Sequence, residues 1–239
     1  MDGAFAAGNK IMSVFNSAEE FAVARDNMVF GQLIPNRIRN AAVLQAMDAV
    51  PREIFLPDPL KSRAYADETL VAGGGLFFSP QITAALLVAA DAGRNDFVLN
   101  PKAGTGYTTA VLAQTARAVV GLEPDPDRAA AADSLLAENG VDNAAVLCGT
   151  AEEGFPRQAP FDVIFIGGTV PVIGEDLLSQ LGEKGRLVAV EVNPGNSFGT
   201  AVKIVRAKEG FKKTTLFSVD LSAFDKLFAY KKFDFETIS

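Results

Sequence analysis

Two features of the sequence pair residue types with a spacing suited to holding a nucleoside. Val98-Leu-Asn-Pro-Lys-Ala-Gly104-Thr-Gly106-Tyr107 places two glycines at the junction of an apolar run and a helical pattern. Glycines at a strand-to-helix turn let a ligand approach the backbone, and the helix N-terminus beyond supplies free N–H groups. Ligands in open α/β sheets bind at the carboxyl ends of the strands, where this turn falls. The pattern is not a dinucleotide fingerprint, which needs glycine at Thr109, nor a phosphate loop, which needs G-K-[ST]. Taken alone it is equally a tight turn. Glu123 closes the next apolar run, 17 residues beyond Gly106. A carboxylate there can accept hydrogen bonds from both hydroxyls of a ribose, or it can cap the helix after Pro124-Asp-Pro126. Together the turn and the acid point to a nucleoside-containing ligand.

Composition narrows the chemistry further. The 239 residues contain no histidine and one cysteine, Cys148. That excludes a Ser-His-Asp triad, a histidine base and a histidine-ligated metal, and nearly excludes a structural zinc. The lone cysteine excludes a disulfide framework and makes a reducing cytoplasm the expected compartment. No apolar run approaches the ~20 residues of a membrane helix, and Lys10 is the only cation before Arg25, unlike a signal peptide. The formal charge of −7 is uneven: residues 1–183 hold 12 cations and 23 anions, residues 184–239 hold 10 and 6. An acidic body argues against nucleic acid as main partner, and the lack of a long apolar run against a membrane partner. The basic stretch alternates with apolar residues and reads as solvent faces of strands.

The elements that position these residues follow from periodicity. Ser17-Ala-Glu-Glu20 has capping-box spacing and starts a helix near 17. Asn40–Val50 is an amphipathic helix stopped by Pro51, and the three prolines of 51–59 predict an extended loop. Gln81–Ala92 is helical. Strands Asp96–Asn100, Ala118–Glu123, Ala144–Gly149, Phe161–Gly168 and Arg186–Val192 alternate with helices Tyr107–Thr115, Asp127–Asn139 and Ile173–Leu181. Near-continuous apolar strands separated by helices indicate a doubly wound, mostly parallel sheet covered on both faces. Ala201–Lys208, Thr214–Leu221 and Leu227–Phe233 then alternate without helices and predict a C-terminal antiparallel edge. No linker divides the chain. The expected organisation is an N-terminal helical and loop region, 1–80, packed on an α/β body, 81–239, as one structural unit.

Four stretches resemble the S-adenosylmethionine-dependent protein-L-isoaspartate O-methyltransferases, which repair damaged aspartyl and asparaginyl sites. They are Met28-Val-x-x-Gln32-Leu33 with Val43-Leu-x-Ala-Met47-x-x-Val50-Pro-Arg-Glu53-x-Phe55-x-Pro57; Ala64-Tyr65-x-Asp67; Gly140-x-Asp142-Asn143; and Pro160-Phe161-Asp162-x-Ile164. The resemblance runs from about Arg25 to Val192. It implies a seven-stranded sheet of the methyltransferase type, S-adenosylmethionine as cofactor, isoaspartyl proteins or peptides as partners, and methyl transfer to a carboxylate. An ionised carboxylate is already a nucleophile, so the reaction needs proximity more than a base, and the absence of histidine is compatible with it.

The same resemblance assigns site residues, several of them departures from the family pattern. Where the family carries an acid, glycine and two further glycines at the turn, this chain has Asn100, Lys102, Gly104 and Gly106. Asn100 keeps an acceptor without the charge. Lys102 brings a cation near the expected sulfonium, and either fills the space a glycine leaves or reaches the cofactor's carboxylate. Glu123 retains the ribose position, and Thr150 replaces an aspartate expected at the adenine end. An ungapped register from Asp67, Gly73 and Gly75 puts the family's serine on Ser79, the candidate catalytic residue, and its threonine on Phe77. Ser79 before Pro80 is equally a helix N-cap. Leu76-Phe77-Phe78 predicts a more apolar pocket mouth. Two alternatives to the isoaspartyl enzyme therefore stay open: a non-catalytic binding module, and a methyltransferase of altered substrate.

Overall fold

The computed structural model describes residues 17–192 and 196–222, so the anticipated strand Leu227–Phe233 lies outside the described residues. The chain opens with α1 (Ala18–Met28), whose capping box forms as the Ser17/Glu20 spacing requires. A wider π turn, Val29–Leu33, continues it. Asn40 caps α2 (Ala41–Ala49), accepting from the Val43 amide at 3.1 Å.

The proline-rich segment is more regular than an extended loop. Arg52–Phe55 forms a 3₁₀ turn capped by Pro51, and α3 (Asp58–Lys61) follows Pro57 with Pro59 inside its first turn. Proline is tolerated at these positions because the first N–H groups of a helix have no internal partner to lose. A second difference follows at once. Leu70–Ala72 (β1) and Gly75–Phe77 (β2) pair as an antiparallel hairpin. Its two turn residues, Gly73 and Gly74, both have positive φ, at 59° and 75°. A two-residue hairpin turn with that twist favours glycine at both places.

Beyond the hairpin come α4 (Pro80–Ala90), β3 (Phe97–Asn100), α5 (Tyr107–Ala113), β4 (Ala118–Glu123), α6 (Pro126–Glu138), β5 (Ala144–Cys148), β6 (Phe161–Val170), α7 (Glu175–Ser179), β7 (Leu181–Val192), β8 (Phe198–Arg206) and β9 (Phe211–Asp220). The sheet order is β5-β4-β3-β6-β7-β8-β9. Pairings from β5 through β7 are parallel, and β7, β8 and β9 run antiparallel. This is the seven-stranded, mostly parallel sheet with the antiparallel edge that the strand pattern implies.

Alternation along each strand divides the core. Val98, Val163 and Val188 join one buried cluster with the side chains of α1, α2, α4, α5 and α6, whereas Leu99, Ile164 and Ala189 join a second cluster with Leu177 of α7. Successive strand residues point to opposite faces, so an uninterrupted apolar run is required when both faces are covered. The chain order reverses between β3 and β6, which opens a crevice at their carboxyl ends.

Candidate functional site

The crevice is built on the turn leaving β3. Ala103 N–H donates to Leu122 O and Gly106 N–H to Ala103 O, each at 2.9 Å, which folds the turn back toward β4. Gly104 and Gly106 take positive φ, 55° and 92°, so α5 begins at once. Gly167 of β6 lies so near that a Cβ on it would sit 2.7 Å from Lys102 O. The Lys102 stem runs along Gly168, and its Nζ donates to Thr169 O at 2.9 Å. Lys102 therefore spans the switch point between β3 and β6.

Glu123 ends β4 on the other side and is 4% exposed. Its Oε1 accepts from the Asp125 amide at 3.3 Å and from Arg128 Nε and Nη2 at 2.9 and 2.6 Å. All three bonds fall on one oxygen, and Oε2 has no hydrogen-bond partner among the described residues. The hydrogen bond to Glu123 raises the Arg128 guanidinium above its ordinary value, against a small opposing effect of burial. Arg128 also stands beneath the hairpin tip, where a Cβ on Gly74 would come within 3.0 Å of its Cζ.

Arg52 lies at the inner end and is buried. Its Nε donates to Ala64 O at 2.7 Å and its Nη2 to Phe78 O. The guanidinium sits 4.0 Å from the Phe77 ring centroid and 4.9 Å from that of Tyr107. No carboxylate among the described residues pairs with it, and burial lowers its pKa. The Tyr107 hydroxyl is buried and has no hydrogen-bond partner among the described residues, with burial raising its pKa and the nearby Arg52 opposing the rise.

These groups enclose a cleft of about 200 Å³ lined by the hairpin tip, Lys102, Gly104, Glu123, Arg128 and Gly167–Thr169, among others. Lys102, Gly104 and Glu123 are brought together there; Gly106 supports the turn from behind. Asn100 does not line the cleft. It is fully buried, donating to Thr108 and Thr109 Oγ1 at 2.9 and 3.0 Å and accepting from the Gly167 amide at 3.1 Å. Thr150 lies outside it too, accepting from the Glu153 amide at 3.4 Å. Ser79 caps α4, accepting from Ile82 N–H at 3.4 Å, and borders a separate cleft with Asp67 and Thr69. Leu76, Phe77 and Phe78 are all buried. Their rings and chain pack inward, so the anticipated apolar mouth is an apolar inner wall.

Sequence reasoning missed Arg52, Arg128 and the hairpin tip as parts of this cleft. The run Gly73-Gly-Gly75 was the available signal for the tip. No group of three or more potential ligands positioned for a metal ion occurs among the described residues. No helix among them is long and apolar enough to cross a membrane.

The sequence profile of protein-L-isoaspartate (D-aspartate) O-methyltransferases matches residues 24–219. The chain belongs to this family. Protein-L-isoaspartate O-methyltransferases from Synechococcus sp. (strain JA-2-3B'a(2-13)) and Methylorubrum extorquens (strain PA1) are each 40% identical to it. The first aligns over 76% of this chain and 75% of the relative, the second over 77% and 80%. A solved protein-L-isoaspartate O-methyltransferase superposes with a TM-score of 0.72 at 23% identity, covering 82% of this chain, which spans 64% of that structure's length. A Plasmodium falciparum crystal structure, described as a beta-aspartate methyltransferase in complex with S-adenosyl-L-homocysteine, gives a TM-score of 0.68 at 20% identity. It covers 82% of this chain and 95% of the other. These structures share the methyltransferase fold, and the 40%-identical relatives carry the family assignment.

Proposed function

We propose that the cleft beside Gly104 and Glu123 binds S-adenosylmethionine and that the protein methylates the carboxylate of isoaspartyl residues in damaged proteins. The observation that carries the reading is the free Oε2 of Glu123. A carboxylate oxygen at the cleft with no hydrogen-bond partner among the described residues is suited to accept from a ligand hydroxyl. The glycine turn next to it lets a nucleoside lie against the backbone. The residues present thus fit an adenosyl group.

The cofactor supplies an electrophilic methyl group. Glu123 would orient the ribose, and the backbone around Gly104 would support the rest of the nucleoside. The hairpin tip, seated on the turn, would exclude water. An acceptor carboxylate needs no base, so the protein's contribution is alignment, which alone can supply much of a rate enhancement. Ser79, engaged as a helix cap, would hold the loop between the hairpin and α4 and act as a positioning residue. Asn100 would tie β3 to β6 under the cleft, and Thr150, outside the cleft, would not touch the nucleoside.

Isothermal titration with S-adenosyl-L-homocysteine, on the parent and on Glu123→Gln, tests the reading. Binding by the parent and a loss of about tenfold or more in the variant are expected, the size of a charge-assisted hydrogen bond. Absence of heat at millimolar ligand overturns it. Binding without methylation of an isoaspartyl peptide favours a methyltransferase of altered substrate instead.

A further inference from the structure

We propose that Lys102 makes the cleft select its ligand by charge, favouring adenosyl compounds that are neutral at the sulfur position over the cationic sulfonium. The inference rests on the adenosyl reading above and deepens it.

Four charged side chains line the cleft: Arg52, Lys102, Glu123 and Arg128. Glu123 and Arg128 neutralise one another through a 2.6 Å contact. The other two cations form no ion pair with an acid among the described residues. Lys102 Nζ donates to the carbonyl of Thr169, and Arg52 donates to the carbonyls of Ala64 and Phe78. Carbonyl dipoles solvate a cation without cancelling its charge. Two positive charges without an ion-pair partner among the described residues therefore face a space of about 200 Å³. A sphere of that volume is about 7 Å across, within the ~8 Å Debye length of physiological salt, so any charge placed inside feels them both. Low-dielectric walls strengthen the effect.

Lys102 is the adjustable member of this pair. Its stem is braced along Gly168, with Cδ 3.4 Å from where a Cβ would stand, and its amine is held at Thr169. The ammonium is thus fixed over the switch point. One of its three protons is engaged by Thr169, which leaves the others to face an anion but gives a sulfonium only repulsion.

The proposed reaction makes this selection matter. The carboxylate oxygen forms a bond to the methyl carbon as the carbon–sulfur bond breaks, and the sulfur keeps that electron pair. The sulfonium becomes a neutral thioether while the carboxylate becomes a neutral ester. A cleft that disfavours a positive sulfur holds the thioether product more tightly than the starting cofactor, while the same field attracts the anionic acceptor.

The test is titration calorimetry of the full chain and of Lys102→Met and Lys102→Arg with three ligands. These are S-adenosylmethionine, S-adenosylhomocysteine and sinefungin, which carries an amine in place of the sulfonium. The parent and Lys102→Arg are expected to bind the thioether at least about tenfold more tightly than either cationic ligand, equal to ~1.4 kcal/mol. In Lys102→Met that ratio should shrink severalfold, both cationic ligands gaining affinity relative to the thioether. An unchanged ratio, or a uniform weakening of all three ligands as expected for a merely structural strut, overturns the inference and leaves the adenosyl reading standing. Failure of all three ligands to bind the parent overturns that reading and the inference with it.

Discussion

Gly73 at the hairpin tip rests on Thr105 of the glycine turn so closely that a Cβ there would meet Thr105 Cγ2 at 2.7 Å and its backbone nitrogen at 2.9 Å. The hairpin and the turn after β3 thus form one surface. The hairpin is short, three residues a side, and its place depends on this contact and on Gly74 above Arg128.

Gly73→Ala should therefore lift the hairpin. Its positive φ alone costs about 1–3 kcal/mol for a residue with a side chain, and the clash with backbone cannot be relieved by a rotamer change. Loss of stability in urea and weaker S-adenosylhomocysteine binding, by about tenfold, are expected together. Gly210→Ala is the control, since Gly210 also has positive φ but nothing within 4 Å. Equal effects in both variants would assign the whole cost to backbone conformation.

Arg128→Leu should move stability and binding in opposite directions. The Arg128 side chain is 41% exposed but that of Glu123 only 6%, and removing the arginine leaves a buried carboxylate without its counter-charge. Denaturant midpoints should fall. Affinity for S-adenosylhomocysteine should rise severalfold, because Oε1 of Glu123 is released and both oxygens face the ribose. A fall in affinity would show that the guanidinium itself touches the ligand.

Alkaline pH should weaken the fold through two buried tyrosines. Burial raises the pKa of both Tyr65 and Tyr107, and for Tyr65 the hydrogen bond to Glu53 at 2.5 Å adds to the rise. A raised folded-state value means the unfolded chain loses these protons first. The associated stability is complete below the unfolded value of about 10 and is lost as pH climbs above it, by up to ~1.4 kcal/mol per pH unit for each tyrosine. Urea unfolding measured between about pH 8 and pH 11 checks this. Tyr65→Phe should reduce the slope above pH 10 even if it lowers stability at neutral pH, and an unaltered slope would remove Tyr65 from the account.

How much of this was legible in the sequence depends on range. β4 runs from Ala118 to Glu123 as its apolar residues indicate, because a strand buried on both faces leaves an unbroken run ended by Pro124. The β1–β2 hairpin left no such trace. Three-residue strands show no periodicity, and Gly73-Gly-Gly75 reads as loop. Within the cleft, the glycine turn and Glu123 are visible because their roles follow from local spacing. Arg128 resembles any exposed residue of a helix's first turn until the fold shows it beside Glu123. Arg52 is a charge that the chain carries into its interior, and only tertiary contacts with residues 12 to 55 positions away reveal why. Asn100 closes β3 as anticipated, but which neighbours its amide meets is set by α5 and β6, not by its own strand.

Arg52 also constrains how this protein can be recombined with its relatives. One guanidinium holds the carbonyls before and after the hairpin and lies against Tyr107, which Phe55 also meets edge-on at 5.7 Å. A chimaera joined anywhere between residues 65 and 106 splits this set between two parents. Unless both parents supply matching shapes, the graft strands a charge in a dry interior, a defect that costs several kcal/mol. Successful crossovers should fall after Tyr107, where the whole set is inherited from one side.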